Sequence, residues 1–97
     1  MSVMVTVSFQ YKPEAVEAAL AGMKEALVDT RAFAGCESVK SYFNAETNTL
    51  LLVEIWDKAE SQQAYLGWRA ETGMMETIAD IIAAPPVFTT YDIRDDI

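Results

Sequence analysis

The segment Thr49–Trp56 limits most strongly what this chain can fold into. It reads Thr-Leu-Leu-Leu-Val-Glu-Ile-Trp, so large apolar side chains occupy both of the faces that alternate along a strand. A strand that is apolar on both faces is typical of the interior of a sheet that is covered on each side. The sequence therefore predicts a central strand with a layer of structure against each face.

A second strand and a long helix precede this segment. Val3–Gln10 alternates strictly between apolar and mixed residues, and this period-2 pattern predicts a strand. An amphipathic helix of about five turns is expected from Pro13 to about Phe33. Its apolar stripe recurs at helical spacing, at Val16, Leu20, Met23 and Leu27.

The remaining elements flank the central strand. Glu37–Asn44 is predicted to be a strand that a short polar connection joins to Thr49–Trp56. A helix is expected from about Lys58, with a pause near Gly67 or Gly73. A further helical stretch is expected to carry apolar residues at helical spacing until Pro85 and Pro86 end it: Met74, Met75, Ile78, Ile81 and Ile82.

A last strand is predicted over Val87–Ile93, so the element order is βαββαβ. That order predicts an α+β, ferredoxin-like fold for a single domain, residues 1–97, with a four-stranded antiparallel sheet and its helices on one face. Because the helices cover only one face, a second copy stacked against the other face is expected. The sequence therefore predicts a homodimer as well as a fold.

Composition excludes several classes of chemistry. The chain contains no histidine and one cysteine, Cys36, which excludes histidine-dependent nucleophiles, histidine-held zinc or haem, and an intrachain disulfide. Its 15 acidic residues against 7 basic ones give a net charge of −8, which argues against a nucleic-acid partner. No apolar run is long enough to span a membrane, and residues 1–10 lack the features of a signal peptide, so a cytoplasmic protein is expected.

Several short motifs, in order, resemble a known family. They are Tyr11-Lys12-Pro13-Glu14 after the first strand, Phe33-Ala34-Gly35-Cys36 after the first helix, and Glu54-Ile55-Trp56 followed by Asp57-Lys58-Ala59-Glu60. Their spacing is similar to that of the antibiotic biosynthesis monooxygenase (ABM) family of dimeric α+β barrels. The resemblance covers roughly Val3 to Tyr91.

The resemblance implies a cofactor-independent monooxygenase that oxidises a quinol or anthrone type of aromatic with molecular oxygen, without metal or flavin. It also implies a pocket inside each protomer, between sheet and helices. Many relatives carry a histidine on the helix after Glu-x-Trp, whereas Tyr65 stands there in this chain. The haem-degrading branch of the family is excluded, because its proximal histidine has no counterpart.

Glu54 and Trp56 share one face of the central strand and are the first site candidates. A carboxylate in a doubly covered strand must be paired, protonated or functional, so Glu54 is either a catalytic base or a structural ion-pair partner of Arg69 or Arg31. Trp56 is a candidate for stacking on an aromatic substrate. The alternative for Trp56 is a core or dimer-interface residue.

The helix that follows supplies a second group of candidates. Tyr65 and Trp68 lie three residues apart and share a helix face with Arg69 beside them, so they either line a pocket mouth or form an ordinary amphipathic stripe. Tyr65 is a catalytic candidate that could donate its hydroxyl to a phenolate. Trp68, Arg69 and Tyr42 of the second strand are substrate-binding candidates, although alternation does not tell which face Tyr42 occupies.

Three readings of function remain open from the sequence. The first is the cofactor-free oxygenase, and the second is a non-catalytic dimeric module that binds a small aromatic ligand in the same pocket. The third is a protein that acts through its surface, which no charged or apolar surface stripe supports. Oxygen consumption distinguishes the first two.

Overall fold

The computed structural model describes the whole chain, Met1–Ile97, as one antiparallel sheet with helices on one face. Its strands are β1 Val3–Gln10, β2 Cys36–Asn44, β3 Thr49–Trp56 and β4 Val87–Asp92. Its α-helices are α1 Val16–Ala32, α2 Ala59–Glu71 and α3 Met74–Ile78, and a 3₁₀ turn at Pro13–Ala15 precedes α1. The strand order is β2-β3-β1-β4, so the predicted ferredoxin-like fold is confirmed. No helix has the length and apolar character needed to cross a bilayer.

The central position of β3 is also confirmed, between β2 and β1. Burial alternates along the strand, because every second side chain points to the opposite face of a sheet. Four residues face the helices and are buried, namely Leu50, Leu52, Glu54 and Trp56. The three residues between them, Leu51, Val53 and Ile55, are half-buried, so one chain covers β3 fully on its helix side only.

The segment after α3 departs from the sequence prediction. The helical pattern was expected to run through Ile81 and Ile82, but α3 ends at Ile78. The backbone there pairs with the end of β1 instead: Lys12 N–H donates to the carbonyl of Ile81 and Ala83 N–H to that of Gln10, at 2.9 and 2.7 Å. These bonds to the sheet replace the helical ones, which is why the apolar spacing did not produce a longer helix.

A tight turn at Gly35 sets the distance between β2 and the start of α2. Gly35 has φ +94°, a left-handed conformation that glycine adopts without steric cost. Its carbonyl accepts a 2.8 Å hydrogen bond from Asp57 N–H. A Cβ at this position would lie 2.5 Å from the Cβ of Ser61 and 2.7 Å from Oδ1 of Asp57. The turn therefore requires glycine both for its conformation and for its close packing.

Candidate functional site

A cavity of about 70 Å³ lies between the helices and the sheet. Twelve of its sixteen lining residues are hydrophobic, and they come from both central strands, β4 and all three α-helices. Met75 and Phe88 line it although each is 43% exposed, which places its mouth between α3 and β4. Its four polar lining residues are Thr30, Glu54, Gln62 and Arg69. The result is an apolar chamber with a few polar groups, the usual character of a small-molecule site.

Glu54 is a buried carboxyl group with no cation beside it. Its side chain is 3% exposed, and the indole N–H of Trp56 donates a 2.9 Å hydrogen bond to its Oε1. The ion pair considered from the sequence is absent: Arg69 and Arg31 donate to other groups, and the chain's one salt bridge joins Arg94 to Asp96. Burial raises the pKa of Glu54, and the hydrogen bond from Trp56 offsets part of that rise.

The second oxygen of the Glu54 carboxyl group, Oε2, faces the cavity. No side chain donates a hydrogen bond to it, whereas every fully buried polar side-chain atom in the chain has a partner. Oε2 is therefore not fully buried, and the space that Glu54 lines is the cavity. A ligand hydroxyl in the cavity would find a free acceptor there.

Trp56 lies behind Glu54 and not on the cavity. Its side chain is fully buried and is not among the lining residues. Its ring packs 5.3 Å from the ring of Tyr65 and makes an edge contact with Phe33 at 6.3 Å. The structure thus makes Trp56 a core residue that orients Glu54, and it offers no face of the indole to a ligand in the cavity.

Tyr65 joins α1 and α2 through a buried polar network. Its hydroxyl lies 2.6 Å from Oγ1 of Thr30 and accepts a 2.7 Å hydrogen bond from Nε of Arg69. Nη2 of Arg69 donates to the carbonyl of Ala26 at 2.7 Å and to Oγ1 of Thr30 at 3.2 Å. Because Oγ1 of Thr30 donates to the Ala26 carbonyl at 3.3 Å, the Tyr65 hydroxyl is left as the donor to Thr30.

Arg69 reaches the cavity from α2, whereas Trp68 does not. The guanidinium lies 4.7 Å from the ring centre of Trp68 and 5.3 Å from that of Tyr65. Trp68 therefore acts on the site indirectly, by stacking on Arg69, a contact that favours a fixed orientation of the cation. The sequence candidates on this helix are thus brought together, but only Tyr65 and Arg69 line the cavity.

Tyr42 lies on the opposite face of the sheet from the other candidates. It pairs with Leu51 in the β2–β3 ladder, and Leu51 points away from the helices. Its side chain is 54% exposed and lines a shallow depression with Phe43 and Asn44. The sheet therefore lies between Tyr42 and Glu54, and within a single chain Tyr42 does not line the cavity.

Two buried polar residues of the cavity, Thr30 and Gln62, are not among the candidates predicted from the sequence. Thr30 is completely buried and Gln62 is 3% exposed. Both occupy apolar helix faces, since Thr30 follows Leu27 by three residues and Gln62 precedes Tyr65 by three. A polar residue within an apolar stripe was the available signal. No group of three or more histidine, cysteine, aspartate or glutamate side chains is placed to hold a metal ion.

Comparisons with known proteins agree with the fold described above. A family model described as antibiotic biosynthesis monooxygenase matches residues 2–79. No curated protein matches the chain significantly in sequence. Among solved structures, Rv0793 from Mycobacterium tuberculosis is 25% identical with a TM-score of 0.77, over 98% of this chain and 97% of that one.

Two further solved structures share the fold at lower identity. A conserved protein from Methanosarcina mazei Go1 is 18% identical with a TM-score of 0.84, covering 97% of this chain and 94% of its own. A structure described as an antibiotic biosynthesis monooxygenase is 16% identical with a TM-score of 0.83, covering 95% of this chain and 98% of its own. These similarities extend over almost the whole chain in each case.

Proposed function

Because the chain belongs to the antibiotic biosynthesis monooxygenase family, we propose that it is a cofactor-independent monooxygenase that oxidises a small hydroxylated aromatic, of quinol or anthrone type, with molecular oxygen. The observation that carries the proposal is Glu54, a buried carboxyl group without a cation whose Oε2 faces an apolar cavity. A purely structural carboxyl group would be expected to have a partner for both oxygens.

In this proposal Glu54 is the general base. Its carboxylate removes the proton from the substrate's hydroxyl or from its activated C–H, and the raised pKa makes it a stronger base than an exposed carboxylate. The electron-rich anion then reduces oxygen directly. For an anthrone, the CH₂ group loses two hydrogens and gains one oxygen atom, and the second oxygen atom leaves as water, so no external reductant is required.

The apolar lining has two roles in this reaction. It excludes bulk water from a reactive oxygen intermediate, and it buries the ring of the substrate. The cavity is about half the volume of one that holds benzene, about 150 Å³. Substrate entry therefore requires its walls to move, and the flexible thioether side chains of Met74 and Met75 at the cavity are suited to that adjustment.

The proposal includes a homodimer that covers the open face of the sheet. Seven apolar side chains share that face across all four strands, by the register of the ladders: Met4, Tyr42, Leu51, Val53, Ile55, Val87 and Tyr91. Tyr42, Val87 and Tyr91 are 48–59% exposed in the single chain. A second copy stacked sheet to sheet would remove this surface from water.

Oxygen uptake by the purified protein, treated with chelator, tests the proposal against substrate-only controls. The panel pairs one-ring hydroquinones with three-ring anthrones, and wild type is compared with Glu54→Gln. We expect uptake above the spontaneous rate for wild type and a loss of about a hundredfold or more in the variant, the typical contribution of a general base. Absence of uptake, with the same compounds quenching tryptophan fluorescence, would contradict the oxygenase and support the binding module.

A further inference from the structure

Arg69 is a cation at the cavity with no counterion in the chain. The chain has 15 acidic residues, yet its one salt bridge is Arg94 with Asp96, far along the sequence from Arg69. Arg69 is half-buried, and a charge removed from water is stabilised by an opposite charge and full hydrogen bonding. An unpaired guanidinium in so acidic a protein therefore indicates that the missing anion comes from outside the chain.

Every contact of Arg69 within the chain is to a neutral group. Nε donates to the Tyr65 hydroxyl, and Nη2 donates to the carbonyl of Ala26 and to Oγ1 of Thr30. The ring of Trp68 supports the guanidinium from one side at 4.7 Å. These contacts hold the group in a single orientation without neutralising its charge.

The remaining nitrogen of the guanidinium, Nη1, is free to bind a ligand. It makes no hydrogen bond within the chain, although every fully buried polar side-chain atom has a partner. Nη1 is therefore accessible, and Arg69 lines the cavity. A fixed guanidinium with free N–H groups is the group that proteins use to bind carboxylates.

We propose that the ligand of this cavity is an aromatic acid, whose carboxylate binds Arg69 while its ring hydroxyl faces Oε2 of Glu54. This inference rests on the proposed binding of a hydroxylated aromatic in the cavity, and it narrows that class to compounds that carry a permanent negative charge. A neutral quinol leaves the charge of Arg69 uncompensated, whereas a hydroxybenzoate supplies the counterion from its own carboxylate.

Calorimetric titration with two matched probes tests the inference without any requirement for turnover. The probes are 2,5-dihydroxybenzoate and 2,5-dihydroxybenzamide, which differ in charge but hardly in shape. Wild type is expected to bind the acid about tenfold more tightly than the amide, the gain typical of a charge-assisted hydrogen bond at a partly exposed site. Arg69→Gln is expected to reduce that ratio to about one and to change the affinity for the amide less than about threefold.

Two further variants separate the effect of Arg69 from general effects of charge or folding. Arg31→Gln removes the same charge from an arginine that donates to the backbone of β2, away from the cavity, and should keep the preference for the acid. Arg69→Lys retains the charge and should keep a reduced preference, which provides a second measurement if Arg69→Gln fails to fold.

Equal affinity of wild type for acid and amide would overturn the inference, as would a preference that persists in Arg69→Gln or a lack of binding by both probes. These outcomes are distinct from failure of the proposed function. Oxygen uptake with neutral quinols alone, without preference for the acid, would contradict the inference and leave the oxygenase. Selective binding of the acid without oxygen uptake by any substrate would contradict the oxygenase and leave the inference.

Discussion

Trp56 donates its indole N–H to Oε1 of Glu54 across 2.9 Å, two residues apart on the same face of β3. The indole itself is fully buried and does not contact the cavity. The hydrogen bond assigns the two oxygens of the carboxyl group different roles, because it holds Oε1 against the core and leaves Oε2 at the cavity. Substituting Trp56 should therefore change the pH dependence of turnover, whereas substituting Glu54 should change the pH dependence of stability.

Replacing Trp56 with phenylalanine should shift the pH dependence of turnover to higher pH. The hydrogen bond from Trp56 lowers the pKa of Glu54, so its loss raises that pKa and delays formation of the carboxylate base as pH increases. The pH profile of kcat/KM measures the shift. The control is Trp68→Phe, which removes an indole that makes no hydrogen bond to Glu54 and should leave the midpoint of the pH profile unchanged. An unshifted midpoint in Trp56→Phe would contradict the role that we give to its hydrogen bond.

Glu54→Gln should stabilise the protein relative to wild type, increasingly as pH rises. Burial raises the pKa of Glu54 in the folded state, so folding favours the protonated form. Ionising Glu54 in the folded state costs free energy that lowers the stability of wild type. This cost is absent below the unfolded-state pKa of about 4.3, and it grows as pH rises through the folded-state pKa. Urea unfolding at intervals from pH 4 to pH 8 measures the difference in free energy of unfolding. A difference that does not change with pH would show that Glu54 is not desolvated.

Tyr65→Phe should destabilise the packing of α2 on α1 by about 1–3 kcal/mol. The change leaves Nε of Arg69 without its hydrogen-bond partner and removes one of the three hydrogen bonds of Oγ1 of Thr30. A polar group left without a partner away from water costs about that amount. A double-mutant cycle with Thr30→Val, read by chemical denaturation, measures the coupling. Additive effects of the two substitutions would indicate that the network contributes no coupling energy.

Gly35→Ala should cost at least about 2 kcal/mol in the free energy of unfolding. The substitution places a Cβ on a residue with φ +94° and 2.5 Å from the Cβ of Ser61, which combines backbone strain with overpacking. Gly22→Ala is the matched control in α1, where an added Cβ meets nothing within 4 Å. That variant should gain up to about 1 kcal/mol from helix propensity, and thermal denaturation of both variants gives the comparison.

Val53→Asp should convert the proposed dimer into a monomer. Val53 lies at the centre of the open face of the sheet, opposite Thr6 and Lys40 on the neighbouring strands. An aspartate there would sit beside Lys40, and burying that charge pair between two sheets costs desolvation energy that the attraction between the charges does not repay. Light scattering coupled to size exclusion measures the mass. The control is Val28→Asp, which makes the same change at a 65% exposed position on α1 and should leave the mass unchanged. A wild-type chain that is already a monomer would rule out the proposed dimer.

The sequence was sufficient to predict where the strands lie and which residues share a face. Alternation along β3 correctly grouped Glu54 with Trp56, because side-chain direction in a strand has a period of two. The same alternation could not tell which face meets the helices, since that depends on how the strands pair. Tyr42 was therefore assigned to a site from which the sheet separates it.

Local sequence patterns could not predict hydrogen bonds between residues that lie far apart in the sequence. Glu54 was expected either to pair with an arginine or to act as a base. Arg69, one of the two arginines considered, instead donates to the carbonyl of Ala26, 43 residues before it in the sequence. Likewise, Ile81 and Ile82 have helical spacing, yet their backbone bonds to the end of β1. In both places the structure contains a hydrogen bond between residues distant in sequence, where the sequence had suggested an ion pair with Glu54 or a continued helix.

The alternation of β3 also places strict limits on insertion and deletion in this chain. Successive residues of the strand face opposite sides of the sheet and have different proposed roles. Glu54 faces the cavity, whereas Val53 and Ile55 lie on the face that we propose to bury between two copies. Point substitutions can therefore alter ligand chemistry and assembly independently during evolution. A slip of one residue would exchange the two sets at once, placing the carboxyl group in the dimer contact and a valine or isoleucine in the chamber.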